Sequence, residues 1–236
     1  MSVARNTLVQ SSLTLGSRIL GMVRDILLIA KIGAGPIGDA WATAQQFPNL
    51  FRRIFAEGAF ASAFVPTYAR TLEAEGAEAA RDVAQEALRV LFAATAALTI
   101  LAQVFMPWVL LLIHGGQADD PESYGLAVLL TRITMPYLTF MAIAALLSGV
   151  LNSAERFILS AGAPTLLNLS LIPAAFVAPD AKGTALAAAL AYFVAGVLQA
   201  GALWWGVNRQ KVRLSLIGWP RMTPAVKKVL KLAIPG

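Results

Sequence analysis

The sequence predicts an all-α integral membrane protein: a six-helix transmembrane bundle followed by the start of a seventh helix. Three observations predict it. First, 58% of the 236 residues are hydrophobic and 14% are charged, against about 25% charged in an average soluble domain. Mean hydropathy is +0.67. A soluble fold of this length could not cover so much apolar surface with the polar groups it owns, so soluble enzymes and DNA-binding domains are excluded. Second, three windows are uncharged and long enough to cross a bilayer: Val90–Ile113 with 24 residues, Phe157–Pro179 with 23 and Gly183–Asn208 with 26. Third, Lys and Arg fall unevenly between the connections, as a multi-pass topology requires.

The first seventy residues are apolar but interrupted by Arg18, Arg24, Asp25, Asp39, Arg52, Arg53 and Glu57. Two spans fit, about 6–33 and 38–69, joined by the turn Gly33-Ala34-Gly35-Pro36. Asp39 then sits where an N-cap belongs. The first span is too long and too charged for a cleavable signal peptide. Span 3 is Val90–Ile113. Span 4 is Ile133–Ala154, with Arg132 snorkelling at its outer mouth. Spans 5 and 6 are the two remaining windows. Residues 1–208 form the bundle, 209–222 a basic cytoplasmic linker and 223–236 the start of a further helix, which Thr223 caps and Pro224 opens. That start stops at Gly236, so the chain reads as the first half of something larger.

With the N-terminus inside, the cytoplasmic side receives twelve Lys or Arg residues: Arg5, Arg70, Arg81, Arg89, Arg156 and seven after span 6. The outside receives two, Lys31 and Lys182. Both ends are expected in the cytoplasm. Net charge is +6, which in a membrane chain points to anionic lipid and orientation rather than to nucleic acid. No cysteine is present and His114 is the only histidine, so no metal site, cofactor or catalytic residue is expected.

The first two spans carry the chemistry. On a helical wheel, Thr7, Ser11, Thr14, Arg18 and Asp25 lie within about 60°, and Gln10, Ser17, Gly21 and Arg24 widen that stripe to about 140°. In span 2, Gln45, Asn49 and Arg52 form one row, and Gln46, Arg53 and Glu57 the next. Pro48 removes a helical hydrogen bond beside this polar centre. A charge at mid-bilayer costs roughly 3 kcal/mol, so it normally faces protein or a wet cavity. Arginine stays charged when desolvated and grips phosphate with two parallel bonds. An arginine-rich cavity at mid-depth therefore reads as an anion site, with phosphate the natural ligand. The alternative is plain ion pairing, Arg53 with Glu57 and Arg18 with Asp25. Arg24 and Arg52 have the fewest local partners and are best placed to touch a ligand. Elsewhere, bland readings lead. Residues 70–89 form a solvated hairpin. Pro136, Pro164, Asn168 and Pro173 mark kinks and packing. Trp108, Trp204, Trp205 and Trp219 anchor the interfaces.

The run Ser17-Arg18-Ile19-Leu20-Gly21-Met22-Val23-Arg24-Asp25 resembles the opening signature of the MurJ/MviN lipid II flippases, a family of the MOP exporter superfamily. So do Phe47-Pro48-Asn49-Leu50-Phe51-Arg52-Arg53-Ile54-Phe55-Ala56-Glu57-Gly58, Ala63-Phe64-Val65-Pro66 and Ala163-Pro164-Thr165-Leu166-Leu167-Asn168. The resemblance implies two six-helix lobes facing each other across a cavity, of which this chain is the N-terminal one. It implies a cargo of lipid II, an undecaprenyl diphosphate bearing a disaccharide-pentapeptide, moved outward across the bacterial cytoplasmic membrane by alternating access. The family's cavity residues match Arg18, Arg24, Asp39, Arg52 and Arg53. With Asp25 these make the expected substrate site, supported by Gly21, Gln45, Pro48, Asn49 and Glu57. The partners implied are a lipid II-like polyprenyl-diphosphate glycan, the missing C-terminal lobe and cell-wall synthesis machinery. The rival within the superfamily is an O-antigen-type polysaccharide flippase. A cation exporter would need net acid in its cavity. A polyprenyl-phosphate enzyme would need clustered acids, and Asp119-Asp120 is the only adjacent acid pair.

Overall fold

The computed structural model describes residues 3–55, 59–113 and 120–233, with side chains from Ser11 onward except those of Ala59 and Ala233. Glu57, His114 and Asp119 lie outside the described residues, as do the side chains of Thr7 and Gln10. The described chain is all-helical: α1 Val3–Ile32, α2 Pro36–Phe55, α3 Ala59–Glu75, α4 Ala77–Ile113, α5 Pro121–Thr134, α6 Tyr137–Ser153, α7 Phe157–Val177, α8 Ala181–Arg209 and α9 Pro224–Ala233. Four stretches among these are long and apolar enough to cross a membrane: α4, α5 with α6, α7 and α8.

The described residues bear on two of the expected spans. Of the segment read as span 2, α2 and α3 are described on either side of residues 56–58, which lie outside the described residues. Span 4 starts twelve residues earlier than expected, at Pro121 rather than Ile133, because Asp120 caps it. The Asp120 carboxylate accepts from the backbone N–H groups of Glu122 and Ser123, satisfying two orphan donors of the first turn. Arg132 is thus in the last turn of α5, three turns in, and not at a helix mouth. Asp39 is also displaced from its expected role. α2 begins at Pro36, and Asp39 lies in the first turn with its backbone N–H on Gly35 O. The turn before it holds Gly33 at φ +76° and Gly35 at φ +111°, values at which any side chain would be strained.

Prolines interrupt these helices, and at two of them a neighbouring helix repairs the loss. Proline has no N–H, so it leaves the carbonyl four residues earlier without its helical partner. Pro136 frees Arg132 O, and Gln103 of α4 donates to that oxygen at 2.9 Å. Pro48 frees Ala44 O, and Thr134 of α5 donates to it at 3.3 Å. These two bonds tie α5 to α4 and to α2. Around them the apolar core falls into two bodies. One gathers Leu28, Trp41, Phe51, Leu130, Tyr137 and Tyr192. The other gathers Phe60, Phe64, Leu88, Leu147, Val226 and Val229. α8 runs through the centre on a small-residue face of Ala185, Ala188, Ala189, Ala195 and Gly196. At Gly196 an added Cβ would sit 2.9 Å from the Phe140 Cβ, so only glycine admits α6 this closely. α9 presents Val226 and Val229 to the second body and keeps Lys227, Lys228 and Lys231 exposed or near solvent.

The repair of the Pro136 break is testable by a double-mutant cycle. Gln103→Leu should cost about 1–2 kcal/mol, because it leaves a carbonyl unpaired in the membrane interior. In a Pro136→Ala background the new N–H takes over Arg132 O, and Gln103→Leu should become nearly neutral. Thermal midpoints of the four proteins in detergent check this; equal losses in both backgrounds would refute the repair.

Candidate functional site

α1 and α2 carry the polar stripes, yet they barely touch. α1 lies on α7, with further contact to α8, and α2 lies on α5. The space left between the two polar helices is a cavity of about 340 Å³. Arg24, Asp25, Leu28 and Ile29 wall it on the α1 side, and Trp41, Gln45, Asn49, Arg52 and Arg53 on the α2 side. Three arginines against one aspartate leave the wall positive.

The Arg24 side chain is 14% exposed. Its Nε and Nη2 both donate to Asp25 Oδ1, at 2.9 and 2.8 Å, and its Nη1 donates to Asn168 Oδ1 at 2.9 Å. Asn168, on α7, is 5% exposed and donates from Nδ2 to Ser17 O at 2.7 Å. Gly21 faces this amide: an added Cβ would stand 3.6 Å from Asn168 Oδ1, in ordinary van der Waals contact. Ser17, Gly21 and Arg24 share one edge of the α1 stripe, and that edge faces α7. Pro164 and Pro173 bracket Asn168 within α7.

Several sequence expectations change here. Arg24 is not short of partners: its immediate neighbour Asp25 curls back onto it, and Asn168 reaches it from another helix. Asp25 pairs with Arg24 and not with Arg18. Arg52 is engaged as well. Arg53, Gln45 and Asn49 make no hydrogen bond or ion pair among the described residues. Arg18 and Asp39 are exposed and do not line the cavity. Pro48 is buried behind it. The expected Arg53–Glu57 pair concerns a residue outside those described. Two contributors went unread. Asn168 reads in the sequence as a kink-and-packing residue, but a buried amide must find a partner. Trp41, only 3% exposed, lines the cavity with an indole N–H that meets no acceptor among the described residues.

The arrangement can hold an anion. Arg24 spends three of its five N–H donors on Asp25 and Asn168, which fixes the guanidinium and leaves two to offer. Fixed donors in a recessed, partly dry site bind oxyanions without paying to order a flexible side chain.

A multi-pass helical membrane protein with a basic cavity between its first two helices is the class that fold and site define. A family model described as "Lipid II flippase MurJ" matches residues 29–236, and the chain belongs to that family. It is 42% identical to a probable lipid II flippase MurJ of Rhizobium tropici, over all of this chain and 45% of that protein. It is 38% identical to the lipid II flippase MurJ of Burkholderia cenocepacia, over all of this chain and 46% of that protein. A solved structure titled "Lipid II flippase MurJ, inward closed conformation" superposes with a TM-score of 0.76 at 26% identity, covering 96% of this chain and 47% of that one. The chain thus spans a little under half the length of the relatives it matches.

The α1–α7 bridge predicts energetic coupling. Arg24→Ala and Asn168→Ala should each destabilise the protein, and the double variant should lose less than the sum, with a coupling of about 1–2 kcal/mol. Thermal unfolding of the set in neutral detergent measures it. Strict additivity would mean that the bond does not stabilise the fold.

Proposed function

We propose that this chain is the N-terminal lobe of a lipid II flippase and that its α1–α2 cavity receives the diphosphate of the lipid-linked peptidoglycan precursor. The observation that carries the reading is the excess of arginine on a recessed wall inside a membrane bundle, in a chain of the MurJ family. Arg24, Arg52 and Arg53 take the phosphate oxygens, Asn49, Gln45 and the Trp41 N–H add neutral donors, and Asp25 holds Arg24 while the cavity is empty. Arg18 and Asp39 serve the same cargo from outside this wall, along its path. The positive wall argues against a cation exporter. No covalent step is involved: the cargo moves because binding on one face is exchanged for release on the other, which takes a second lobe.

Six crossings follow if α1, α2 with α3, α4, α5 with α6, α7 and α8 each span the bilayer once. Residues 1–208 are then the lobe, 209–222 the linker and 223–236 the entry to the next helix. Both ends lie on the cytoplasmic side of the bacterial inner membrane, with the C-terminal lobe and the cell-wall synthesis machinery as partners. Charged reporters placed after Met1 and after Gly236 should both be shielded from an external modifying reagent, and one within 114–119 should be labelled. An externally labelled C-terminus would overturn six crossings.

The arginines give the sharper test, made in a chain of the relatives' full length. Arg24→Ala and Arg52→Ala should each weaken lipid II binding by about 2–3 kcal/mol, the loss of a forked charged contact. Lysine keeps the charge without the fork, so Arg→Lys should fall between. Arg156→Ala, on the exposed turn before α7, should be silent. Binding is measured on variants shown to insert at parental levels. Parental affinity in both alanine variants would make the cluster structural.

A further inference from the structure

A second cavity, of about 580 Å³, lies at the end of the bundle where α4 begins. The segment between α8 and α9 is docked there against α4. Gln85, 6% exposed, binds Ser215 twice: its Nε2 donates to Ser215 O, and the Ser215 N–H donates to its Oε1 at 2.8 Å. Glu86 is occupied on both oxygens, by Arg89 at 3.0 Å and by the Arg221 backbone N–H at 3.1 Å. Arg89 also donates to Ile217 O at 2.8 Å. This docking corrects the reading of 70–89 as a merely solvated hairpin.

The docking uses up Glu86 and Arg89 but leaves three guanidinium groups around the cavity. Arg81, Arg213 and Arg221 have side chains with no hydrogen bond or ion pair among the described residues. Asp82 is the one carboxylate there that is likewise unengaged, so positive charge remains in excess. The level of the cavity is fixed by α4, whose apolar window opens at Val90, next to Arg89. Gly218, at φ +132°, lies so close to the Arg89 guanidinium that an added Cβ would be 2.6 Å from Cζ. Its neighbours Ile217 and Trp219, 86% and 87% exposed, therefore emerge where α4 passes from polar to apolar. A nearly bare tryptophan and isoleucine at that level suit the headgroup layer of a bilayer.

We propose that this cavity binds the phosphate-bearing headgroup of an anionic phospholipid in the adjoining leaflet. Arg81, Arg213 and Arg221 take the phosphate, and Ile217 and Trp219 enter the interface beside the acyl chains. Soluble phosphate would use the same arginines but gives no reason for the exposed Ile217 and Trp219. The inference rests on the membrane placement and is independent of what the α1–α2 cavity carries.

The test uses the chain in neutral detergent micelles, titrated with phosphatidylglycerol or with zwitterionic phosphatidylcholine, each with brominated chains that quench tryptophan. The Trp219 signal is the difference between the parent and Trp219→Phe. Phosphatidylglycerol should quench Trp219 at a mole fraction at least about tenfold lower, as several arginines near a membrane surface demand. Arg213→Gln with Arg221→Gln should remove most of that preference. Asp82→Asn, which deletes the one free carboxylate, should sharpen it, and this arm stands even if the double variant folds poorly. Equal quenching by the two lipids overturns the proposal, as does a preference unmoved by either change. Displacement of the lipid by millimolar inorganic phosphate also overturns it, in favour of a soluble-phosphate site.

Discussion

A peptide group inside a bilayer has no water to fall back on, and this molecule is organised around that constraint. Prolines sit within or between its helices at Pro48, Pro66, Pro107, Pro136, Pro164 and Pro173, and at two of them another helix supplies what the proline withholds. Thr134 answers Pro48, and Gln103 answers Pro136. Both repairs involve α5 and fix it against α2 on one side and α4 on the other. The stretch of α2 around Pro48 is thereby held in place beside Gln45, Asn49 and Arg52. Fold and site are linked through a hydroxyl that sits outside the cavity.

The same constraint decides how charge is housed. Arg24 is nearly buried, and all three of its recorded bonds run to groups that hold it in one pose. An arginine left to swing in such a space would lose side-chain entropy on meeting a ligand. One already braced by Asn168 loses little. The cost is that Asp25 occupies part of the guanidinium, so an incoming anion has to compete with a carboxylate. That competition favours a ligand with more than one negative charge.

Much of this was legible in the sequence. The polar stripes of the first two spans, the hydrogen bond that Pro48 removes from α2 and the Thr223-Pro224 helix start all follow from spacing and residue type, and Thr223 does cap α9, accepting from the Val226 N–H at 3.3 Å. What escaped depends on side chains far apart in the chain. Arg24 and Asn168 are 144 positions apart, and no periodicity relates them. Helical spacing offers Arg18 as the alternative partner of Asp25 because it ignores adjacent residues, whereas a long arginine can fold back across one position. The early start of α5 is masked by Arg132, which looks like the mouth of span 4 until Asp120 is recognised as a cap. Gln85 appears in a charged hairpin, with nothing nearby to show that its amide would clasp the backbone of Ser215.

The two walls of the α1–α2 cavity belong to different packed pairs, α1 with α7 and α2 with α5. Its width is therefore a clearance, in the machinist's sense, set by parts that are themselves seated elsewhere. A change at Thr134 or Asn168 alters how one wall is seated and so shifts the gap without touching its lining. The walls are joined by the short Gly33-Ala34-Gly35 turn, with two left-handed glycines, and by few direct contacts among the described residues. A gap dimensioned this way can be opened or narrowed by small tilts of intact pairs, with no helix unwound and no buried polar group exposed.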